Sequence, residues 1–158
     1  KWIRPHLAKT LDESPPVDPN PMPDIVLRDP KYWDYARFGM EQVMHGPRGT
    51  AAKVGATAAY RIAGKSGTAQ VVAIKQGAKY DRTKIDERHR DHALFIAFAP
   101  AEQPQIVVAV MVENGESGSG VAAPIVKQVL DAWLLDDQGQ LKAEYRPETS
   151  ATIESPAP

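Results

Sequence analysis

The first apolar pattern along the chain has the period of a helix. Between Asp29 and Gly46, apolar residues recur mostly three and four positions apart, at Trp33, Ala36, Met40, Val43 and Met44. This spacing places them on one helical face. Asp29 suits the N-cap and Pro30 the first helical position, and Gly46-Pro47 stops the helix. We therefore expect a first helix whose apolar face packs on the protein core.

The middle of the chain has the apolar density of β-strands. Residues 60–74 are predicted to form one long strand interrupted by Gly64 and Gly67, and glycine inside a strand often marks close approach by a ligand or another backbone. Residues 93–99 and 105–113 are apolar and joined by the short segment 100–104, which predicts a hairpin. Residues 75–92 are too charged for a core, so we expect them to form an insertion.

The most regular pattern follows a glycine- and serine-rich segment at residues 114–120, which is expected to be a flexible turn. Apolar residues then recur at helical spacing: Ala122, Ile125, Val126, Val129, Leu130, Trp133 and Leu134. They predict a last helix whose apolar residues, Trp133 included, pack in the core. Because sequential strands are usually neighbours, we expect an α+β fold in which this helix covers one face of a three-stranded antiparallel sheet.

Composition divides the chain into three segments. Residues 1–28 are rich in proline, which indicates an extended arm or linker, and residues 29–135 carry the patterned elements. Residues 136–158 are polar and are expected to be a disordered tail. The chain begins at Lys1 without methionine, so we interpret this start as a boundary, with any targeting or anchoring segment upstream.

The overall composition excludes several classes of function. The 158 residues include 19 basic and 20 acidic side chains, for a net charge of -1, and this balance gives no reason to expect a nucleic acid as partner. The chain contains no cysteine, so it has neither disulfides nor thiolate metal sites. Hydrophobic residues make up 42%, enough for an ordinary globular core.

The chemistry of the chain is concentrated at Lys65-Ser66-Gly67-Thr68 in the predicted long strand. Lys65 supplies positive charge, and the hydroxyls of Ser66 and Thr68 can donate hydrogen bonds to a carboxylate. Gly67 would let a substrate approach the backbone, and a free strand edge offers N–H groups that can stabilise an oxyanion. The segment therefore predicts a site that binds a carboxylate and stabilises an oxyanion.

A phosphate-binding loop is the main alternative for this segment, because Gly64-Lys65-Ser66 is also how such a loop ends. The strict motif requires glycine five positions before Gly64, where this chain has Ala59. A phosphate-binding loop also leads into a helix, whereas the apolar residues after Gln70 continue a strand. Context therefore disfavours nucleotide binding.

Lys65-Ser66-Gly67-Thr68 resembles the third motif of the penicillin-binding proteins and the active-site serine β-lactamases. Further matches occur in the same order: Arg48-Gly49-Thr50-Ala51, Arg90-Asp91-His92-Ala93, Ala97-Phe98-Ala99-Pro100 and Glu113-Asn114-Gly115. Together they resemble the class B transpeptidases, above all the elongation-type branch, the penicillin-binding protein 2 enzymes. The resemblance covers about residues 29–135 and implies a portion of the penicillin-binding, serine β-lactamase-like transpeptidase fold.

The resemblance also implies roles and partners. Lys65 would join the network around the nucleophile, and the backbone N–H of Thr68 would be an oxyanion donor. Substrate binding would involve Ser66, Gly67 and Thr68, with the two hydroxyls on the substrate carboxylate. The substrates would be D-Ala-D-Ala stem peptides and β-lactams, with no cofactor or metal in this chain. The whole protein would be anchored in the inner membrane with this part in the periplasm, beside a membrane glycosyltransferase of the elongation machinery.

Two motifs that the family requires are missing from this chain. None of its serines is followed by lysine three positions later or by asparagine two positions later, so it contains neither the Ser-x-x-Lys nucleophile motif nor the Ser-x-Asn motif. Thr50-Ala51-Ala52-Lys53 has the spacing but the wrong hydroxyl, and we interpret it as coincidence. The nucleophile is expected in an upstream part of the same transpeptidase, and this chain alone is expected to be inactive.

Other interpretations stay open on sequence alone. The same strand could serve a non-catalytic sensor that binds penicillin or stem peptides, or a serine β-lactamase. His89, Asp91 and His92 have a spacing compatible with metal binding, but the stretch is charged and lacks a further neighbouring ligand. We expect it to be a solvated approach to the next strand.

Overall fold

A computed structural model of the protein describes residues 22–72, 81, 83 and 85–146. The chain divides into two compact units, Lys1–Asp34 and Tyr35–Pro158. In the first unit, the side chain of Asp29 accepts a hydrogen bond of 2.9 Å from the backbone N–H of Lys31. This contact confirms Asp29 as the cap of the first helix, α1 (Lys31–His45). Most of the proline-rich arm lies outside the described residues.

Helix α1 contributes to the core only near its C-terminal end. Met44 is buried and Val43 packs against the core, whereas Ala36 and Phe38 are exposed. The prediction that the whole apolar face of this helix packs on the core is therefore wrong for Ala36.

Three strands form one antiparallel sheet in the order β1-β2-β3. Their bounds are β1 Ala63–Ala69, β2 His92–Ala99 and β3 Ile106–Val112, which confirms the expected sheet and hairpin. Strand β1 is shorter than predicted, because residues 60–62 precede it and the strand ends at Ala69. A one-turn helix, α2 (Ala52–Gly55), lies between α1 and β1.

One face of the sheet forms the core, and the other is exposed. Ala93, Phe95, Ala97 and Val108 are buried on the face that packs against the last helix, α3 (Ala123–Leu134). On the opposite face, Val107 is 72% exposed, and Ile96 and Met111 are also exposed. The expectation that the last helix covers one face of the sheet is confirmed.

Helix α3 is apolar on two sides, and only one of them meets the sheet. Val126, Leu130 and Leu134 are buried, whereas Trp133 is 54% exposed. The prediction that Trp133 belongs to the core is wrong. Helical periodicity predicted one broad apolar stripe along α3. The part of that stripe with Val126, Leu130 and Leu134 is buried, and the part with Trp133 is exposed.

Residues 135–146 form ordered structure after α3. Leu135 and Leu141 form an antiparallel bridge, and Leu141 and Tyr145 pack against the core. The expected disordered tail therefore does not begin at Asp136, and residues 147–158 lie outside the described residues. Among the residues that the structure describes, no helix is both long and apolar enough to span a membrane.

Candidate functional site

Strand β1 carries the Lys65-Ser66-Gly67-Thr68 segment along an edge of the sheet. It pairs with β2 alone, so within the described part of the chain its other edge has no partner strand. Lys65 and Thr68 are exposed, and Ser66 and Gly67 are half-buried. An unpaired edge presents backbone N–H and C=O groups to an incoming peptide, and here the charged and hydroxyl side chains lie on that same edge.

The sheet register separates the lysine from the two hydroxyls. Lys65 lies opposite Ile96, on the exposed face, whereas Ser66 lies opposite Phe95, on the core face. Alternation along a strand puts Thr68 on the same face as Ser66. The three side chains can therefore act on one ligand only around the free edge of β1. The ammonium group of Lys65 donates a 2.6 Å hydrogen bond to the carbonyl oxygen of Ser66, which keeps it close to the strand.

The two glycines of β1 have different reasons for being glycine. A Cβ atom at Gly64 would lie 2.6 Å from the ring of Phe95, so core packing explains the missing side chain there. At Gly67 a Cβ atom would meet only the side chain of Leu94, at 3.3 Å. Substrate approach, which the sequence predicted at Gly67, is therefore not needed to explain Gly64.

Two long-range hydrogen bonds fix the start of β1. The backbone N–H of Ile62, which is buried, donates to Nε2 of His45 at 2.9 Å. The hydroxyl of Tyr60 donates to the carboxylate of Asp131 on α3 at 2.8 Å. Strand β1 is therefore anchored to both α1 and α3 just before it begins.

The His45 contact predicts a pH dependence of stability. Burial, with a smaller contribution from the positive charge of Arg61, lowers the pKa of His45 below its ordinary value of 6.5. The unfolded chain then binds the proton more readily, so stability is complete above pH 6.5 and falls as pH decreases below it. In the full-length protein we expect the melting temperature to decline between pH 7 and pH 5.

A His45→Gln variant is the matched control, since the glutamine amide oxygen can accept the same bond without titrating. Its loss of melting temperature over this pH range should be smaller than that of the wild type. Equal losses in both proteins would show that His45 is not the titrating group. The bond itself is worth about 1 kcal/mol.

The segment before β2 is held by hydrogen bonds to distant parts of the chain. Asp91 is only 8% exposed and accepts a 3.3 Å hydrogen bond from the backbone N–H of Val71, just beyond β1. Nδ1 of His92 accepts from the backbone N–H of Asn114 at 3.0 Å, and the amide of Asn114 donates to the carbonyl oxygen of Arg90 at 3.1 Å. The interpretation of this segment as a solvated approach is therefore wrong for Asp91.

These contacts also bear on the metal hypothesis for His89, Asp91 and His92. His89 is exposed in a 3₁₀ turn, Glu87–His89, while Nδ1 of His92 is engaged with Asn114. Across residues 22–72, 81, 83 and 85–146, no group of three or more His, Asp or Glu side chains is arranged to hold a metal ion.

The glycine- and serine-rich segment is a structured turn, which corrects the expectation of flexibility. Gly118–Ala122 form a π-helical turn that leads directly into α3, and Gly118 is buried. The hydroxyl of Ser117 accepts a 3.0 Å hydrogen bond from the backbone N–H of Gly120. The sequence predicted a turn here but not its fixed structure, which depends on this hydrogen bond and on the burial of Gly118.

A cleft of about 550 Å³ lies between this turn and residues 47–54, which include α2. Thr50, Lys53, Ser119 and Gly120 are among its lining residues. Although Thr50 and Lys53 share the cleft, residues 65–68 do not line it. The geometry therefore gives no support to Thr50 as the missing nucleophile beside Lys65.

Comparisons with known proteins point to one family. The family model described as "Penicillin binding protein transpeptidase domain" matches residues 1–131, so the match includes the proline-rich arm. Two curated relatives are named peptidoglycan D,D-transpeptidase MrdA. The Haemophilus influenzae protein is 41% identical over 82% of this chain, and the Escherichia coli protein is 43% identical over 86%.

Similar solved structures belong to the same family as these relatives. Pseudomonas aeruginosa PBP2, crystallised in complex with WCK 5153, is 70% identical over 92% of this chain, with a TM-score of 0.79. Helicobacter pylori PBP2, in complex with MreC, is 28% identical over 66% of this chain, with a TM-score of 0.53. The chain spans 20% of the Haemophilus relative and 19% of the Escherichia relative, and it covers 29% of the Pseudomonas chain.

Proposed function

Because the chain belongs to the family of penicillin-binding protein transpeptidase domains, we propose that it supplies the substrate-binding strand of a peptidoglycan D,D-transpeptidase. The observation that carries this proposal is the edge of β1 that has no partner strand within the described part of the chain and is bordered by Lys65, Ser66 and Thr68. The relatives named as D,D-transpeptidases supply the reaction class.

The proposed roles follow from the chemistry of each group. The hydroxyls of Ser66 and Thr68 donate to the terminal carboxylate of a D-Ala-D-Ala stem peptide, or to that of a β-lactam. Lys65 adds positive charge from the opposite face of the strand, next to the nucleophile. The backbone N–H of Thr68 donates to the oxyanion that forms when the peptide carbonyl is attacked, and Gly67 lets the substrate lie against the strand.

The reaction is an acyl transfer in two steps. The hydroxyl oxygen of a serine outside this chain bonds to the carbonyl carbon of the penultimate D-alanine. The bond to the terminal D-alanine then breaks, and the freed amine leaves with a proton. An amine of a neighbouring stem peptide attacks the acyl-serine ester, forms the cross-link and returns a proton to the serine.

The serine is proposed to belong to an upstream part of the same protein, because no serine of this chain has lysine three positions later. The uncovered sheet face around Ile96, Val107 and Met111 is consistent with an upstream segment that completes the domain. Without that segment, the chain binds no acyl group covalently.

The proposed setting is the periplasmic side of the bacterial inner membrane, with the anchor upstream. The Helicobacter PBP2 structure contains MreC, which supports an MreC-like protein as a partner of the whole enzyme. A membrane glycosyltransferase of the elongation machinery is proposed as a second partner. Neither partner is assigned a surface on this chain.

The test is intact-mass analysis after incubation with benzylpenicillin. We expect the 158-residue chain to gain no mass and the full-length protein to gain one penicilloyl group. Stoichiometric acylation of the short chain would place a nucleophile within it and refute the proposed site. Absence of acylation in the full-length protein would refute the transpeptidase proposal itself.

A further inference from the structure

The backbone of Gly67, at the centre of the proposed site, is in close contact with the turn before α3. A Cβ atom built on Gly118 would lie 2.6 Å from the carbonyl oxygen of Gly67 and 3.1 Å from its nitrogen. It would also lie 2.4 Å from the carbonyl oxygen of Leu94, which is the register partner of Gly67. Gly118 therefore rests directly on the pair of strands that carries the site, and its position limits where the Gly67 peptide can lie.

The loop that delivers Gly118 to this position has an unusual backbone. Asn114 and Glu116 have φ angles of 59° and 61°, in the left-handed region, which asparagine tolerates but glutamate rarely adopts. At Glu116 above all, surrounding contacts are needed to impose the conformation.

Residues at the start of β2 provide those contacts. Nδ1 of His92 accepts from the N–H of Asn114 at 3.0 Å, and the carbonyl oxygen of Asp91 accepts from the N–H of Glu116 at 2.8 Å. The amide of Asn114 donates to the carbonyl oxygen of Arg90 at 3.1 Å. Each bond holds one of the two left-handed residues, so the loop takes its shape from residues 90–92.

The same segment also holds β1. The carboxylate of Asp91 accepts from the N–H of Val71, and His92 is the register partner of Ala69. Residues 90–92 thus set the C-terminal end of β1 and the position of Gly118 together. Between these two constraints lie Gly67 and Thr68, whose backbone is proposed to receive the substrate.

We propose that His92 and Asn114 are positioning residues of the acyl transfer. They hold the loop in its left-handed shape and keep Gly118 against the Gly67 peptide. Through that contact they set the direction of the backbone N–H of Thr68 toward the oxyanion. This inference rests on the proposed transpeptidase function and adds to it residues that touch no substrate.

The experiment uses the full-length protein and single-turnover acylation by saturating benzylpenicillin, with the rate constant and the amplitude measured separately. Loss of folded protein lowers the amplitude, whereas a displaced oxyanion donor lowers the rate constant of the molecules that still react. We expect His92→Leu to reduce the rate constant about tenfold or more, since small displacements at a reacting centre have effects of this size.

Rescue and control variants make the test specific. His92→Asn keeps an acceptor at the δ position and should stay within about threefold of the wild-type rate constant, a small change on the scale expected for displacement. His89→Leu, at an exposed position, should leave both quantities unchanged. A His92→Leu protein with a normal rate constant, whatever its amplitude, would overturn the proposal.

A second variant covers the case in which His92→Leu does not fold. Asn114→Asp keeps a side chain that tolerates the left-handed backbone but replaces the amide that donates to Arg90. Its rate constant should also fall, and an unchanged value would overturn the proposal. If the wild-type protein is not acylated, the transpeptidase proposal fails instead, so the two failures are distinguishable.

Discussion

Replacement of Lys65 by alanine in the full-length protein is expected to reduce the rate constant of penicillin acylation by about 100- to 1000-fold. Removal of one group that stabilises developing charge has effects of this size in acyl-transfer enzymes. Lys65 is exposed at the free edge of β1, and its ammonium group donates to the carbonyl oxygen of Ser66. Its loss removes a positive charge from the site and releases the adjacent peptide.

The measurement is stopped-flow acylation with a fluorescent penicillin, accompanied by a melting curve. Because Lys65 is exposed and its side chain is outside the core, we expect the melting temperature to change little. Lys53→Ala, on the exposed side of α2, removes the same charge away from β1 and should acylate normally. Near-normal acylation of the Lys65→Ala protein would exclude the role proposed for this lysine.

Local patterns were sufficient to predict the principal elements of the fold. Two apolar runs and the short segment at residues 100–104 predicted the β2–β3 hairpin, and helical periodicity predicted α3. These patterns predict structure because each helix or strand packs apolar residues on its buried side. The Lys65-Ser66-Gly67-Thr68 motif could be recognised from the sequence alone because its four residues are consecutive.

Features that depend on distant contacts could not be predicted in this way. Trp133 follows the helical period of α3, yet no part of the described sheet covers it. Asp91 was interpreted as solvated because its neighbours are charged, whereas it is buried and hydrogen-bonded to Val71, twenty positions earlier. Strand alternation alone places Lys65 and Ser66 on opposite faces of the sheet. Only the register of β1 with β2 shows which of these faces packs on the core.

Gly118→Ala is the substitution for which we expect the largest combined loss of stability and activity. The added Cβ atom would lie 2.4 Å from the carbonyl oxygen of Leu94 and 2.6 Å from that of Gly67. Both are backbone atoms in paired strands, so no flexible side chain can move aside. Either the turn must lift from the sheet or β1 must shift, and overpacking of this kind costs about 1–3 kcal/mol.

Gly118→Ala should also affect function, because β1 lies directly beneath the turn. A shift of β1 moves the Gly67 peptide and the N–H of Thr68, so acylation of the full-length protein should slow by about 100-fold while its melting temperature falls. Gly39→Ala is the matched control, because a Cβ atom at Gly39 would have no atom within 4 Å. Alanine in the middle of α1 should raise stability by up to about 1 kcal/mol without altering acylation. A Gly118→Ala protein that melts and acylates like the wild type would mean that Gly118 does not constrain β1, and the positioning role of His92 and Asn114 would then have no route to the site.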